Sequence, residues 1–89
     1  MVYDYEWNDA KRAANLVKHG IDFVEMEGID LLTAVIVEDR RRDNGEARFR
    51  AYLRIGGSGR ALSFTWRGDK IRVISLRRAR EKEMRRYGL

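Results

Sequence analysis

The chain has 89 residues, of which 44% are hydrophobic and 37% are charged, so residues 1–89 fit a single small globular domain with a highly charged surface. It has no cysteine and one histidine, which excludes disulfide scaffolds, thiolate zinc sites and multi-histidine metal sites within one chain, and no metal or cofactor is expected. The net charge is +5, and no apolar run approaches the roughly 20 residues of a membrane helix, so we expect a cytoplasmic protein that does not use a membrane.

The first third of the sequence is predicted to form a short strand and two helices. The strand covers residues 3–6, and Asn8 or Asp9 caps the first helix, which ends at Gly20. This helix has apolar residues at i, i+3, i+4 and i+7, which predicts a buried face. The apolar residues are Ala10, Ala13, Ala14 and Val17. The second helix is predicted over residues 22–32.

The remaining sequence is predicted to form four consecutive strands and a third helix. The clearest strand covers residues 47–55, in which apolar residues alternate with Arg48, Arg50, Tyr52 and Arg54. The other predicted segments are strands over residues 34–38, 61–66 and 70–76, a charged loop over residues 39–45, a glycine turn over residues 56–59 and a helix over residues 78–87.

This order of elements predicts an α+β domain with two layers. Two N-terminal helices are expected to pack on one face of an antiparallel sheet of four to five strands, because short turns connect the strands. A C-terminal helix follows the sheet. The face opposite the two helices then carries the arginines of residues 47–55.

Charge is distributed unevenly along the chain. Residues 1–39 contain three basic and nine acidic side chains, whereas residues 40–89 contain sixteen basic and five acidic side chains. Fifteen of the nineteen basic residues are arginine, which binds phosphate groups bidentately. A polyanion is therefore the expected partner, and a solvated basic face is the alternative.

One strand carries the first candidate nucleic-acid site. Arg48, Arg50 and Arg54 are predicted to share an exposed face of the strand over residues 47–55, and Tyr52 among them offers a ring on which a base can stack. We therefore predict these four side chains to bind nucleic acid. An ordinary solvated strand face is the alternative interpretation, although such a face usually mixes both signs of charge.

A second arginine cluster lies where the last strand meets the last helix. Its members are Arg72, Arg77, Arg78 and Arg80. Arginines at the start of a helix oppose its dipole, whereas the free N–H groups there favour an anion. The cluster therefore predicts an anion site. Local compensation by Glu81 and Glu83 is the alternative explanation.

Three side chains are candidates for proton transfer. His19 is the one side chain with an ordinary pKa near neutrality, although a histidine beside Gly20 also commonly caps helix carbonyls. Glu83 and Tyr87 are spaced i, i+4 on the last helix and can hydrogen-bond each other. Tyr87 also has a plain structural explanation, which is docking of the helix.

Three blocks of the sequence resemble the BrnT-type toxins, the ribonuclease half of a bacterial type II toxin–antitoxin pair. The first block is Tyr5-Glu6-Trp7-Asn8 with Lys11, Asn15 and the KHGIDF run of residues 18–23. The second is Glu38-Asp39-Arg40 with Asp43, Gly45, Glu46 and Arg48, and the third is the RVISLRRA run of residues 72–79 with Glu83 and Tyr87. The blocks cover nearly the whole chain in family-like order, and Tyr5, Asn8 and Leu76 depart from the family pattern.

The resemblance implies a RelE-like fold and metal-independent cleavage of RNA that inhibits translation. It places Arg72 and Arg77 at the phosphate, with Glu83, Tyr87 and His19, in falling order, as acid–base candidates. It also implies a cognate antitoxin of the ribbon-helix-helix type, in a dimer of heterodimers that contacts DNA only through the antitoxin. A non-catalytic nucleic-acid-binding module and a structural subunit remain the alternatives.

Overall fold

The fold was analysed in a computed structural model that describes residues 3–40 and 45–89. The elements are β1 (Tyr5–Glu6), α1 (Asp9–His19), one turn of 3₁₀ helix (Phe23–Met26), β2 (Val35–Asp39), β3 (Arg48–Ile55), β4 (Ser58–Arg67), β5 (Lys70–Arg78) and α2 (Glu81–Arg86). Residues 41–44, part of the predicted charged loop, lie outside the described residues. In the described part of the chain, no helix is long and apolar enough to cross a membrane.

The five strands form one mixed sheet in the order β1-β5-β4-β3-β2. Strands β2 to β5 pair antiparallel with their neighbours along the chain, as the short turns predict. The expectation of a wholly antiparallel sheet is corrected at one edge, where β1 pairs parallel with β5 through Tyr5 and Glu6. A parallel pair is possible here because most of the chain separates the two strands.

The main hydrophobic core lies on one face of this sheet. The alternating side chains of β3, β4 and β5 supply it, as the period of two predicts. Side chains from the segment that follows α1 cover the core on the side away from the sheet. Its buried members include Ile21, Phe23, Met26, Leu53, Leu62, Phe64, Ile71 and Val73.

The predicted second helix is wrong. Asp22 caps a helical start, because its carboxylate accepts a hydrogen bond from the Val24 N–H at 3.1 Å, but only the single 3₁₀ turn follows. Gly28 adopts a left-handed conformation with φ of 76°, which ends the turn. The helical layer above the core is therefore one turn of helix with its flanking loops, and not a second α-helix.

The predicted buried face of α1 is also wrong. Its ends are as expected, with Asn8 as N-cap and Gly20 in a left-handed conformation, but the predicted apolar positions face solvent and Val17 is 90% exposed. Asn15 is the buried residue of α1. This helix contacts mainly β5, and no residue of α1 belongs to the main core.

Asn15 explains why α1 turns a polar side chain inward. Its Nδ2 donates to the carbonyl oxygens of Leu76 at 2.8 Å and Ile21 at 2.9 Å, and its Oδ1 accepts from the Leu76 N–H at 3.1 Å. The pairing of β1 with β5 covers Ile71 and Arg72 only. Beyond that point the Asn15 amide satisfies the edge of β5 as a neighbouring strand would.

The C-terminal helix packs on the opposite face of the sheet. It begins at Glu81, three residues later than predicted, so Arg77 and Arg78 belong to β5. Met84 and Tyr87 pack against Tyr52 and other buried side chains in a second, smaller core. At Gly59 a Cβ would lie 2.6 Å from the Ala79 carbonyl oxygen, so the absent side chain lets the start of the helix approach β4.

The Asn15 anchor makes a stability prediction. Asn15→Ala leaves the Leu76 amide group and the Ile21 carbonyl without this partner in a buried place, and we expect the free energy of unfolding to fall by about 2–4 kcal/mol. Asn8→Ala, which removes an exposed helix cap, is the matched control and should lose about 1 kcal/mol. Urea denaturation measures both, and equal losses would show that Asn15 is only another cap.

Candidate functional site

Three of the five predicted catalytic residues meet in one cleft. His19 at the end of α1, Arg77 at the end of β5 and Glu83 of α2 line an open cavity of about 510 Å³. Lys18, Arg78 and Arg80 complete its lining. We call this site the basic cleft, because four of its six lining residues are cations.

Arg77 and Glu83 form a bidentate ion pair within the basic cleft. The two terminal guanidinium nitrogens donate to the carboxylate oxygens at 2.9 Å, and one of them also donates to the Arg78 carbonyl oxygen at 3.0 Å. Hydrogen bonding to Arg77 is the main cause that lowers the pKa of Glu83 below its usual value. Glu83 is therefore ionised near neutral pH, and it holds Arg77 rather than Tyr87, the partner that the i, i+4 spacing suggested.

His19 occupies the last turn of α1, directly before Gly20. Burial is the main cause that lowers the pKa of its imidazole, and the positive charges of Lys18 and Arg77 add to this effect. The imidazole is consequently neutral at pH 7, which leaves a ring nitrogen able to accept a proton. A neutral imidazole beside a fixed guanidinium is suited to removing a proton next to a bound anion.

Arg72 lies outside the basic cleft. It pairs with Thr65 of β4, whereas Arg77 pairs with Ala61, four residues away and thus about 13 Å along the sheet. Its guanidinium is 3.1 Å from the Glu6 carboxylate, which β1 brings alongside through the parallel pairing. The structure therefore holds the two predicted phosphate ligands at separate places on the sheet.

The predicted exposed position of Tyr52 is wrong. Its side chain is 1% exposed, because α2 covers this part of the sheet. The ring stacks on Tyr87 with 4.2 Å between centroids, and the hydroxyl accepts from Arg50 at 2.9 Å. Burial, followed by a hydrogen bond with Tyr87, raises the pKa of Tyr52. No face of Tyr52 is open for stacking with a base, and Tyr87 belongs to the same packed pair.

Two of the three β3 arginines, Arg50 and Arg54, form ion pairs within the fold. Arg54 makes two hydrogen bonds of 2.8–3.0 Å to the Glu81 carboxylate and one to the Leu89 carbonyl oxygen. Arg50 lies 3.8 Å from Asp39 on the neighbouring strand. The Nε atom of Arg48 is buried and makes no hydrogen bond to the described residues. The alternative explanation for the arginines where β5 meets α2 was charge compensation by Glu81 and Glu83. It holds for Arg77, which pairs with Glu83, whereas Glu81 pairs with Arg54 of β3.

Two further residues of the site, Lys11 and Lys18, were not predicted from the sequence. They are seven residues apart on α1 and flank Asn15, so all three lie along one side of the helix. Lys18 lines the basic cleft, and Lys11 lines a neighbouring groove. Their spacing was the available signal, but the apolar pattern of α1 pointed to the wrong buried face.

Among residues 3–40 and 45–89, no cluster of three or more histidine or carboxylate side chains is arranged to hold a metal ion. The expectation that no cofactor takes part stays a prediction. The cleft itself offers cations, one ionised carboxylate and one neutral imidazole. These groups suit the binding of a phosphate and the transfer of a proton beside it.

The cleft lies in a small α+β domain, and the sequence comparison defines the family to which this domain belongs. The family model described as "Ribonuclease toxin, BrnT, of type II toxin-antitoxin system" matches residues 7–83. The chain therefore belongs to the BrnT family of ribonuclease toxins, as its three sequence blocks suggested.

The fold supports the same assignment. The structure is similar to the crystal structure of the ribonuclease toxin BrnT from Brucella abortus, with a TM-score of 0.72 and 26% sequence identity. The match covers 89% of this chain and 99% of that chain. No curated protein is a significant match to the sequence.

The single histidine permits a direct test of the electrostatics of the basic cleft. We expect the pKa of His19, followed by NMR of its imidazole, to lie below the usual 6.5. Arg77→Gln should raise this pKa, because it removes a positive charge near the ring. Arg67→Gln, at the far end of β4, is the control and should leave it unchanged. A His19 pKa that is the same in the Arg77→Gln variant would disprove their proximity.

Proposed function

We propose that this chain is a metal-independent endoribonuclease and that the basic cleft is its active site. The observation that carries the proposal is the meeting of His19, Arg77 and Glu83 in one cavity lined otherwise by cations. Membership of a ribonuclease toxin family supports the choice of RNA as the substrate. The reaction needs a base, a proton donor and positive charge around a phosphate, and the cleft contains all three.

The proposed reaction is an internal transfer of the phosphoryl group. The ribose 2′-oxygen attacks the adjacent phosphorus and loses its proton to a base, while the bond from phosphorus to the 5′-oxygen breaks. The 5′-oxygen takes a proton from an acid. The products are a 2′,3′-cyclic phosphate and a free 5′-hydroxyl, and the atoms and charges balance without a metal ion.

Neutral His19 is the proposed base, because its lowered pKa leaves it unprotonated at pH 7. Arg77 is proposed to stabilise the negative charge on the phosphate oxygens, with its guanidinium held in position by Glu83. Lys18 adjoins His19 in the cleft and is the proposed donor to the 5′-oxygen. Arg72 and Tyr87, which lie outside the cleft, have no part in the chemical step.

A second candidate function is binding of nucleic acid without cleavage. The observation that favours it is the small acid–base inventory, with a single histidine and with Glu83 tied to Arg77. Both functions predict RNA binding. They differ only in whether the phosphodiester bond breaks.

Cleavage of a labelled RNA in EDTA separates these functions. We expect the chain to cleave, His19→Ala to lower the single-turnover rate about 10²–10⁴-fold, and Arg77→Ala to lower it about 10²–10³-fold. Arg67→Ala is the matched control, since this exposed arginine pairs only loosely with Glu46, at 3.5 Å, and should keep the wild-type rate. Binding without any cleavage by the folded wild type would favour the second function. A wild-type rate for His19→Ala at saturating enzyme would remove His19 as the base.

The toxin family implies a cognate antitoxin. We propose that this partner is of the ribbon-helix-helix type, that it neutralises the toxin in the cytoplasm and that it alone contacts DNA. Free toxin would inhibit translation by cleaving RNA. The cations of the basic cleft favour a partner that supplies negative charge.

The stoichiometry of this complex is a separate prediction. We expect the co-expressed pair to elute as one species with two toxin and two antitoxin chains, because ribbon-helix-helix proteins pair through their own dimer. Size-exclusion chromatography with light scattering measures the mass. Elution of the two chains as separate monomers would contradict the proposal.

A further inference from the structure

A second cavity adjoins the basic cleft. It is a groove of about 260 Å³ between α1 and β5, and it shares Lys18 and His19 with the cleft. We call it the α1–β5 groove. Its other lining residues are Lys11, Ala14, Asn15, Ile74 and Ser75.

The two lysines along the groove differ from the arginines of the sheet. Arg50, Arg54 and Arg72 each lie beside a carboxylate. Neither Lys11 nor Lys18 forms an ion pair with the residues that the structure describes. Cations without internal partners are the ones that can engage an anionic ligand without first losing a contact.

The groove is built on a fixed base. Asn15 is held by its three hydrogen bonds to Leu76 and Ile21, so its side chain cannot turn outward into the groove. A register shift between β4 and β5 pairs Ser63 with Ser75 and the next residue, Phe64, with Val73. Ile74 is therefore the extra residue of a bulge.

A bulge of this kind re-aims the side chains of a strand. At this place Ile74 and Ser75 both line the groove opposite α1. The lining thus combines an apolar surface from Ile74 and Ala14 with a hydroxyl and two ammonium groups. An apolar floor beside convergent polar groups is the usual composition of a small-ligand site.

We infer that the α1–β5 groove binds the nucleotide next to the scissile phosphate of an RNA substrate, with Lys11 on that nucleotide's own phosphate and Ile74 beneath its base or ribose. The inference rests on the proposed function for the place of cleavage, because His19 joins the groove to the basic cleft. Lys11 and Lys18 are about 10 Å apart along the axis of α1. This separation suits contacts with two successive phosphates of one strand rather than with a single phosphate.

This assignment changes the expected path of the RNA. The sequence pattern predicted that the RNA backbone lies on Arg48, Arg50 and Arg54 of β3. The groove instead directs the strand along α1, on the side of β5 where cations lack partners among the described residues. Lys11 is then a binding residue that takes no part in the chemistry, and its substitution should change affinity rather than the rate of the bound complex.

The first test measures binding without cleavage. Lys11→Gln should weaken the binding of a short 2′-O-methylated RNA, which has no attacking hydroxyl, and should reduce the slope of log affinity against log salt by about 0.7. Lys70→Gln is the matched control, because Lys70 is an exposed lysine at the start of β5, about 13 Å along the strand from Ile74. Equal affinity and slope for Lys11→Gln and the wild type would overturn the inference.

The second test locates the phosphate that Lys11 binds. A dinucleotide contains only the scissile phosphate. A trinucleotide also contains one flanking phosphate, and the two trinucleotides to be compared carry it on the 5′ side or on the 3′ side of the scissile phosphate. Lys11→Gln should raise KM several-fold for one of the two trinucleotides, with kcat unchanged, and should leave the dinucleotide unaffected. An equal effect on the dinucleotide would place Lys11 at the scissile phosphate and overturn the flanking subsite.

The two proposals can fail separately. If the chain cleaves no RNA in EDTA, the proposed function fails, but the binding test with methylated RNA still decides whether Lys11 contacts a phosphate. If cleavage depends on His19 while Lys11→Gln and Lys70→Gln are indistinguishable in both tests, the groove is not a subsite and the active site stands.

Discussion

The hydrogen bonds between the Asn15 side chain and the edge of β5 set the arrangement of the rest of the fold. The side-chain amide donates to the Leu76 carbonyl oxygen and accepts from the Leu76 N–H. It also donates to the carbonyl oxygen of Ile21, which follows the end of α1. A buried strand edge without such partners would leave polar backbone groups unsatisfied. Because this contact fixes the rotation of α1, it also fixes Lys18 and His19 beside the end of β5, which is where the basic cleft forms.

The C-terminal helix imposes a second constraint. It is only six residues long, so its position depends on packing and not on intrinsic helix stability. Stacking of Tyr87 on Tyr52 and burial of Met84 provide that packing. The same contact removes Tyr52 from solvent and brings Glu83 to Arg77 and Glu81 to Arg54. Packing of one short helix thus determines which arginines on this face are compensated and how the Arg77 guanidinium is oriented.

Charge that is segregated along the sequence is partly recombined in space. The acidic first part of the chain places Glu6 beside Arg72, Glu25 beside Arg60 and Asp39 beside Arg50. Pairs that are partly exposed contribute little to stability, so their main effect is to orient the arginines and to neutralise them. In the basic cleft and the α1–β5 groove, several cations have no such partner among the described residues. An anion that binds there therefore breaks fewer internal ion pairs than one that binds at the paired arginines.

The sequence by itself determined the antiparallel run from β2 to β5, the limits of α1 and the family, because alternation of apolar residues, helix caps and motif spacing are local properties that the chain carries wherever it folds. Only the tertiary structure decided which side of α1 is buried, that residues 22–32 contain a single helical turn, that Tyr52 is covered and that Arg72 lies apart from Arg77. These outcomes depend on which distant groups meet. The unsatisfied edge of β5 determined the inner face of α1, in place of four small apolar side chains. Carboxylates of other elements determined the ion-pair partners of Arg72 and Arg77.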